Sequence, residues 1–231
     1  MKKLTFPLSR EDVEVVRRRI GGTEVPMLGL TGGIATGKST VSLMLKELGA
    51  PLIDFDVLAR RVVLPGTPAL KKIVHYFGQE VVRPDGALDR QQLSRIVFQD
   101  DRIRKKLENI THPEIFQAFF HEVDRFADMD PAPIIQVSIP LLVELELQPL
   151  FDKVMVVYAG FRQQTERLIG RDGISRRRAA DILRSQMPID EKLSAADYVV
   201  YNEGSLAETR KQVEIIWQDL VKVQKSPVPG V

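Results

Sequence analysis

Short apolar runs and longer amphipathic stretches alternate along this chain, except across its middle. Val25–Thr31 reads as a buried strand, and Gly37–Leu48 as the helix after it, with Val41, Leu45 and Leu48 along one face. Pro51-Leu52-Ile53-Asp54, Pro133–Ile139, Val154–Tyr158 and Tyr198–Tyr201 are further strands. Val154–Tyr158 is apolar almost without interruption, which suits a strand covered on both faces of a parallel sheet. Helices are expected over Phe161–Arg171, Ser175–Gln186, Ile189–Ala195 and from Leu206 to about Lys222, where Leu206, Val213, Ile216 and Leu220 mark the inner face. The pattern predicts an α/β fold around a five-stranded parallel sheet.

From about Val57 to Met129 the strand pattern disappears. Ala59–Val63, Pro68–Phe77, Asp89–Phe98 and Asp100–Phe126 read as helices, interrupted by Pro65-Gly66, Gly78, Pro84-Asp85-Gly86 and Pro113. A crossover between parallel strands needs only about a dozen residues. Residues 57–129 are therefore expected to form an inserted helical subdomain, a common way to build an acceptor pocket. Ahead of the first strand, Ser9-Arg10-Glu11-Asp12 reads as an N-cap with an acidic first turn. Val13, Val16 and Ile20 then mark a short helix that Gly21-Gly22 stops. This extension, residues 1–24, could pack on the core, mediate self-association or be loose, and Pro227-Val228-Pro229-Gly230 reads as a frayed tail.

The glycines after the first strand carry the clearest chemistry. Gly32-Gly33-Ile34-Ala35-Thr36-Gly37-Lys38-Ser39 fits the phosphate-loop pattern G-x-x-x-x-G-K-[ST], and Thr40 continues into the helix. Backbone N–H groups must turn inward around phosphate oxygens there, which needs angles that glycine permits. The helix start adds unpaired N–H groups and partial positive charge. Lys38 is expected to reach the β- and γ-phosphates of a nucleoside triphosphate, and the Ser39 hydroxyl to ligate Mg²⁺.

Other constellations admit two readings. Arg167, Arg171 and Arg176, with Gly173 between them, suit a lid over 161–189 that closes on a triphosphate, or else ordinary helix surfaces. Asp54 and Asp56 end the second strand. They are either caps or a pair facing one site, since i and i+2 on an extended segment point the same way. One would then be the base for an acceptor hydroxyl and the other would orient it or serve the Mg²⁺ water shell. His112, before Pro113 at an expected helix start, is structural or contacts an anionic substrate; His75 and His121 have no ligand spacing. Ile134–Val137 ends in Ser138 rather than an aspartate, which argues against motor-type ATPases.

Composition narrows the setting. Thirty-three basic against 31 acidic residues give a net charge of +2, so no polyanionic partner is implied and nucleic acid is not expected. Arg17-Arg18-Arg19 and Arg176-Arg177-Arg178 are local exceptions. The chain has no cysteine, which excludes disulfides and thiolate metal sites. No stretch is long and apolar enough to span a bilayer, and the expected location is the cytoplasm. Oligomeric state is not legible.

The chain resembles the dephospho-coenzyme A kinases. The likeness rests on Leu30-Thr31-Gly32-Gly33-Ile34 with Gly37-Lys38-Ser39-Thr40, on Ile53-Asp54-Phe55-Asp56 with Ala59-Arg60, and on Pro65-Gly66-Thr67-Pro68-Ala69-Leu70. His112-Pro113, Pro140-Leu141-Leu142-Val143-Glu144, Arg171-Asp172 and Asn202-Glu203-Gly204 follow in order, over roughly residues 27 to 222. The resemblance implies a three-layer phosphate-loop fold, with a core of 25–56, 130–160 and 190–222. It also implies ATP-dependent phosphorylation of the ribose 3′-hydroxyl of dephospho-coenzyme A. Asp56 would be the base, with Lys38 and Arg171 also catalytic. Asp54, its neighbour near the metal, would serve the acceptor together with Asp56, Arg60, His112 and Leu142, and Asn202 would serve the nucleotide. Ala35-Thr36 stands where the family often has Gly-Ser, a modest departure because the outer glycines remain. A nucleoside or nucleotide kinase, or a nucleotide-sensing switch, are the rival readings; a guanine-specifying Asn-Lys-x-Asp is not in the sequence.

Overall fold

The computed structural model describes Val16 and residues 25–97, 100–129 and 133–225. The helix expected over 9–20 and the tail at 227–230 lie outside these, apart from Val16, which is helical and buried. The chain divides into two compact units: Thr23–Ile53 with Phe126–Val231, and Asp54–Arg125 with the segment that contains Val16.

The first unit is the α/β one. It comprises β1 (Met27–Gly32), α1 (Lys38–Glu47), and, beyond the helical unit, β3 (Ile135–Ser138) and β4 (Lys153–Tyr158). The helices α6 (Phe161–Asp172), α7 (Arg176–Arg184) and the short α8 (Ile189–Lys192) follow, then β5 (Tyr198–Tyr201) and α9 (Leu206–Lys225). With β2 (Leu52–Asp54), the strands form a five-stranded sheet in the order β2-β3-β1-β4-β5. The pairs of β1 with β3, β1 with β4 and β4 with β5 are parallel, with Leu30 opposite Ser138 and Gly32 opposite Val157. Every residue of β1 and β3 is buried, which explains why neither strand alternates polar with apolar.

One core joins α1, the sheet and α9 through Leu28, Leu30, Leu45, Met155, Val200 and Val213. Gln136 is buried within it, and its amide donates to the carbonyls of Ser42 and Ala50 at 2.9 Å each. With both amide hydrogens used, the side chain ties β3 to α1 and to the turn after it. Gly29 leaves room for its neighbours: a Cβ there would lie 2.8 Å from the Phe151 ring and 2.9 Å from Leu142.

The second unit holds α2 (Phe55–Arg61), α3 (Pro68–Phe77), α4 (Arg90–Val97) and most of α5 (Asp101–Ala127). Thr67 caps α3, accepting from the Leu70 amide, and Pro68 opens it where the sequence places the start of that helix. Two expectations fail here. Helix α2 begins at Phe55, not Ala59, because Asp54 caps it and accepts from the Asp56 amide at 2.8 Å. Pro113 neither breaks nor starts a helix; it lies inside α5. Proline there costs about 3 kcal/mol, so packing must outweigh it. Phe116 and Phe119 on the next turns are both 1% exposed, and Phe55 meets them at ring separations of 5.8 and 5.3 Å.

Candidate functional site

The phosphate loop follows β1 and is held from outside by side chains. The Thr36 hydroxyl donates to the Gly33 carbonyl at 3.0 Å, and Thr36 is fully buried. Arg167 of α6 donates to the carbonyls of Ala35 (3.4 Å), Thr36 (3.2 Å) and Asn202 (2.6 Å). Asn202 donates to the Thr36 carbonyl at 2.8 Å and accepts from Thr209 at 2.9 Å. The outward carbonyls are thereby engaged. Two glycines are sterically required. A Cβ on Gly32 would lie 2.7 Å from the Thr36 hydroxyl and 2.8 Å from the Val157 carbonyl. Gly37 has φ 92°, and a Cβ there would lie 2.0 Å from the Asn202 amide.

The start of α1 suits an anion. Gly37 is its N-cap, no side chain caps it, and its first turn contains no acid. An uncapped helix start is a ready anion site. The Lys38 ammonium donates to the Ser138 hydroxyl at the end of β3, and Ser39 is exposed on the same turn. Ser138, which the sequence marks as the absence of an aspartate, is thus a buried partner of the loop lysine. Ile34 and Ala35 pack on a small cluster of Leu168, Ala179 and Leu183 from α6 and α7. Ala35 has φ 60°, a left-handed angle that disfavours any side chain. The alanine at this position therefore sits at a strained backbone angle.

The remaining predicted residues fall in different places. Arg167 braces the loop's backbone, and Asn202 does the same from the end of β5. Arg171 is turned to its neighbour Asp172, with Nε and Nη2 donating at 2.7 and 2.9 Å. Those bonds raise the arginine pKa and lower that of the carboxyl. Arg176 is exposed at the start of α7. Leu142 is fully buried beneath Gly29, so its side chain presents no surface to a substrate here.

In the helical unit, Asp54 is the cap of α2, and Asp56 is exposed in its first turn. The extended-strand argument for both carboxylates facing one way does not hold, because Asp56 is already helical. Arg60 is exposed in the last turn of the same helix. His112 lies mid-helix in α5, where burial pulls its pKa from 6.5 down to about 4. No group of three or more His, Cys, Asp or Glu among the described residues could hold a metal ion.

Sequence reasoning missed three positions. Gln164 is buried behind the loop and donates to the Ala159 carbonyl at 2.8 Å; a Cβ on Gly33 would lie 3.1 Å from it. Thr209 orients Asn202. Lys192 is a fully buried lysine paired with Glu144. Each reads as an ordinary surface residue of an amphipathic helix, and no local spacing marks it.

Fold and loop together define the class, a phosphate-loop nucleotide-binding protein. Comparison with known proteins gives the family. The dephospho-CoA kinase family profile matches residues 26–208. The chain is 46% identical to a dephospho-CoA kinase of Geobacter metallireducens over 204 residues, 87% of this chain and 98% of that one. It is 49% identical to one of Anaeromyxobacter dehalogenans over 179 residues, 78% of this chain and 84% of the relative. Among solved structures, the dephospho-CoA kinase of Campylobacter jejuni superimposes with a TM-score of 0.64 at 30% identity, covering 85% of this chain and 98% of the other. The chain belongs to the dephospho-CoA kinase family.

Proposed function

We propose that the chain transfers the terminal phosphoryl group of ATP to the ribose 3′-hydroxyl of dephospho-coenzyme A, giving coenzyme A. The observation that carries this reading is the uncapped, acid-free start of α1 behind a braced glycine loop, with Lys38 at its mouth, in a chain of this family. Phosphoryl transfer needs positioning and charge neutralisation more than covalent help. Main-chain N–H groups grip the β-phosphate, and Lys38 neutralises charge that spreads onto the γ-oxygens.

Mg²⁺ fits this site in one way. It retains several waters and binds through few protein ligands plus substrate phosphates, and the exposed Ser39 hydroxyl supplies such a ligand. Asp56, exposed and free of capping duty, accepts the proton of the attacking hydroxyl, while Asp54 fixes the helix that carries it. Arg60 and His112 belong to the same helical unit and serve the acceptor. The α6–α7 hairpin over 161–189 acts as the lid, with Arg171 and Arg176 turning toward the phosphates on closure. A cytoplasmic location accords with the cysteine-free sequence, and no helix among the described residues is long and apolar enough to cross a membrane.

The test is direct. The chain is incubated with ATP, Mg²⁺ and dephospho-coenzyme A, with nucleosides and nucleotides as parallel acceptors. Coenzyme A should appear by mass only with the first acceptor; faster phosphorylation of a nucleoside or nucleotide overturns the assignment.

A further inference from the structure

Lys192 ends α8, directly after the hairpin over 161–189, and its side chain is fully buried. An ammonium in the interior must find compensating partners or it destabilises the fold. Its partners are specific. Nζ donates to the Pro140 carbonyl at 3.0 Å and meets the two Glu144 oxygens at 2.9 and 2.7 Å. The Pro140 carbonyl also accepts from the Thr31 hydroxyl at 3.2 Å.

That shared carbonyl has a telling position. Thr31 immediately precedes Gly32, where the phosphate loop begins. Pro140 lies two residues beyond Ser138, the hydroxyl that receives the Lys38 ammonium. One carbonyl therefore gathers donors from β1 and α8 at the point where β3 releases the chain. Glu144, 19% exposed, balances the buried charge and anchors the far side of the same turn.

We infer that Lys192 is a positioning residue for phosphoryl transfer. Through the Pro140 carbonyl it holds the end of β3, and so keeps Ser138 in register with Lys38; the inference rests on the kinase reading above. Loss of the ammonium leaves the Pro140 carbonyl to Thr31 alone and lets the 139–144 turn relax. Misplacing a reacting group by about 1 Å is worth on the order of a hundredfold in rate.

The experiment compares the full chain with Lys192→Met, Lys192→Arg, Glu144→Gln and the double variant Lys192→Met/Glu144→Gln. Coenzyme A formation gives kcat and the KM for ATP, and thermal unfolding is measured on the same samples. Lys192→Met alone leaves the half-buried Glu144 carboxylate without its cation, so the double variant, which removes both charges, is the decisive one. It should unfold within a few degrees of the wild type, yet lose about tenfold to a hundredfold in kcat, with KM for ATP within about twofold. Lys192→Arg should recover most of kcat, because a guanidinium also donates to the carbonyl and the carboxylate.

Wild-type kcat in the double variant overturns the inference. So does a double variant that is unfolded under assay conditions, or Lys192→Arg as slow as Lys192→Met. A wild-type chain that makes no coenzyme A overturns the kinase reading and this inference with it, whereas wild-type turnover beside an unaffected double variant overturns this inference alone.

Discussion

The phosphate loop and the Asp54–Asp56 turn both follow directly on a strand, yet they are held in opposite ways. The loop is gripped from outside: Thr36, Arg167 and Asn202 engage its carbonyls, and Gly32 and Gly37 admit no Cβ. The acidic turn has no such grip on its functional side chain: Asp54 caps the Asp56 amide and Phe55 between them packs on Phe116 and Phe119, but the Asp56 side chain itself is exposed. The difference teaches where preorganisation is needed. Donors that stabilise developing charge act only if they are fixed beforehand. A base needs reach to its proton, and its geometry can tighten when the acceptor arrives.

Breaking the fixed side should have the largest effect. Lys38→Ala is expected to lower coenzyme A formation by about a thousandfold, the scale for loss of a charge-stabilising donor, while the thermal midpoint moves by a few degrees at most. Unchanged turnover in that variant would remove the loop from the chemistry.

The acidic turn should respond more selectively. Asp56→Asn is expected to lower transfer by about a hundredfold, the low end of the range for a lost general base. ATP affinity, measured by titration, should stay as it was. Normal transfer would leave Asp56 without the role proposed for it.

How much of this is legible in the sequence follows the same division. The loop is local: consecutive residues specify the glycine turn, and α1 starts at Lys38 directly after it. What braces the loop is not local. The sequence suggests Arg167 and Asn202 as lid and nucleotide residues, but nothing in their spacing shows that they reach backbone carbonyls more than a hundred residues away. Lys192 is the extreme case, since a lysine on a short polar helix gives no hint of burial. Pro113 misleads for the converse reason. Its local signal is strong, but the phenylalanines that follow it on α5 outweigh it. The Asp54–Asp56 pair reads as extended because the cap that turns Asp56 into helix is itself one of the two carboxylates.

The helical unit carries a pH signature that the α/β loop does not. Burial holds the folded-state pKa of His112 near 4, below its ordinary value of 6.5. The unfolded chain therefore binds the extra proton between those values, and stability rises with pH across that window. The contribution is complete above about pH 6.5 and is lost as pH falls toward 4, amounting to about 3 kcal/mol at most. His112→Gln should flatten the stability profile between pH 6.5 and 4 when denaturant unfolding is compared at several pH values. A profile as steep as the wild type's would assign the acid sensitivity to carboxylates instead.

The smallest effect tests how firmly the loop is braced. Ala35 occupies a left-handed angle, φ 60°, that costs a residue with a Cβ about 1–2 kcal/mol. Ala35→Gly relieves that strain but gives the unfolded chain more freedom, worth about 0.5–1 kcal/mol in the other direction. It also removes a methyl that packs on Leu168 and Ala179. The balance should be a gain of about 0.5 kcal/mol, read as a rise of about 1–2 °C in thermal midpoint, with turnover unchanged because Arg167 and Asn202 fix the neighbouring carbonyls in either case. An Ala35→Gly variant that is less stable would mean that the methyl contact with the α6–α7 cluster outweighs the backbone strain, and that the hairpin helps to shape the loop.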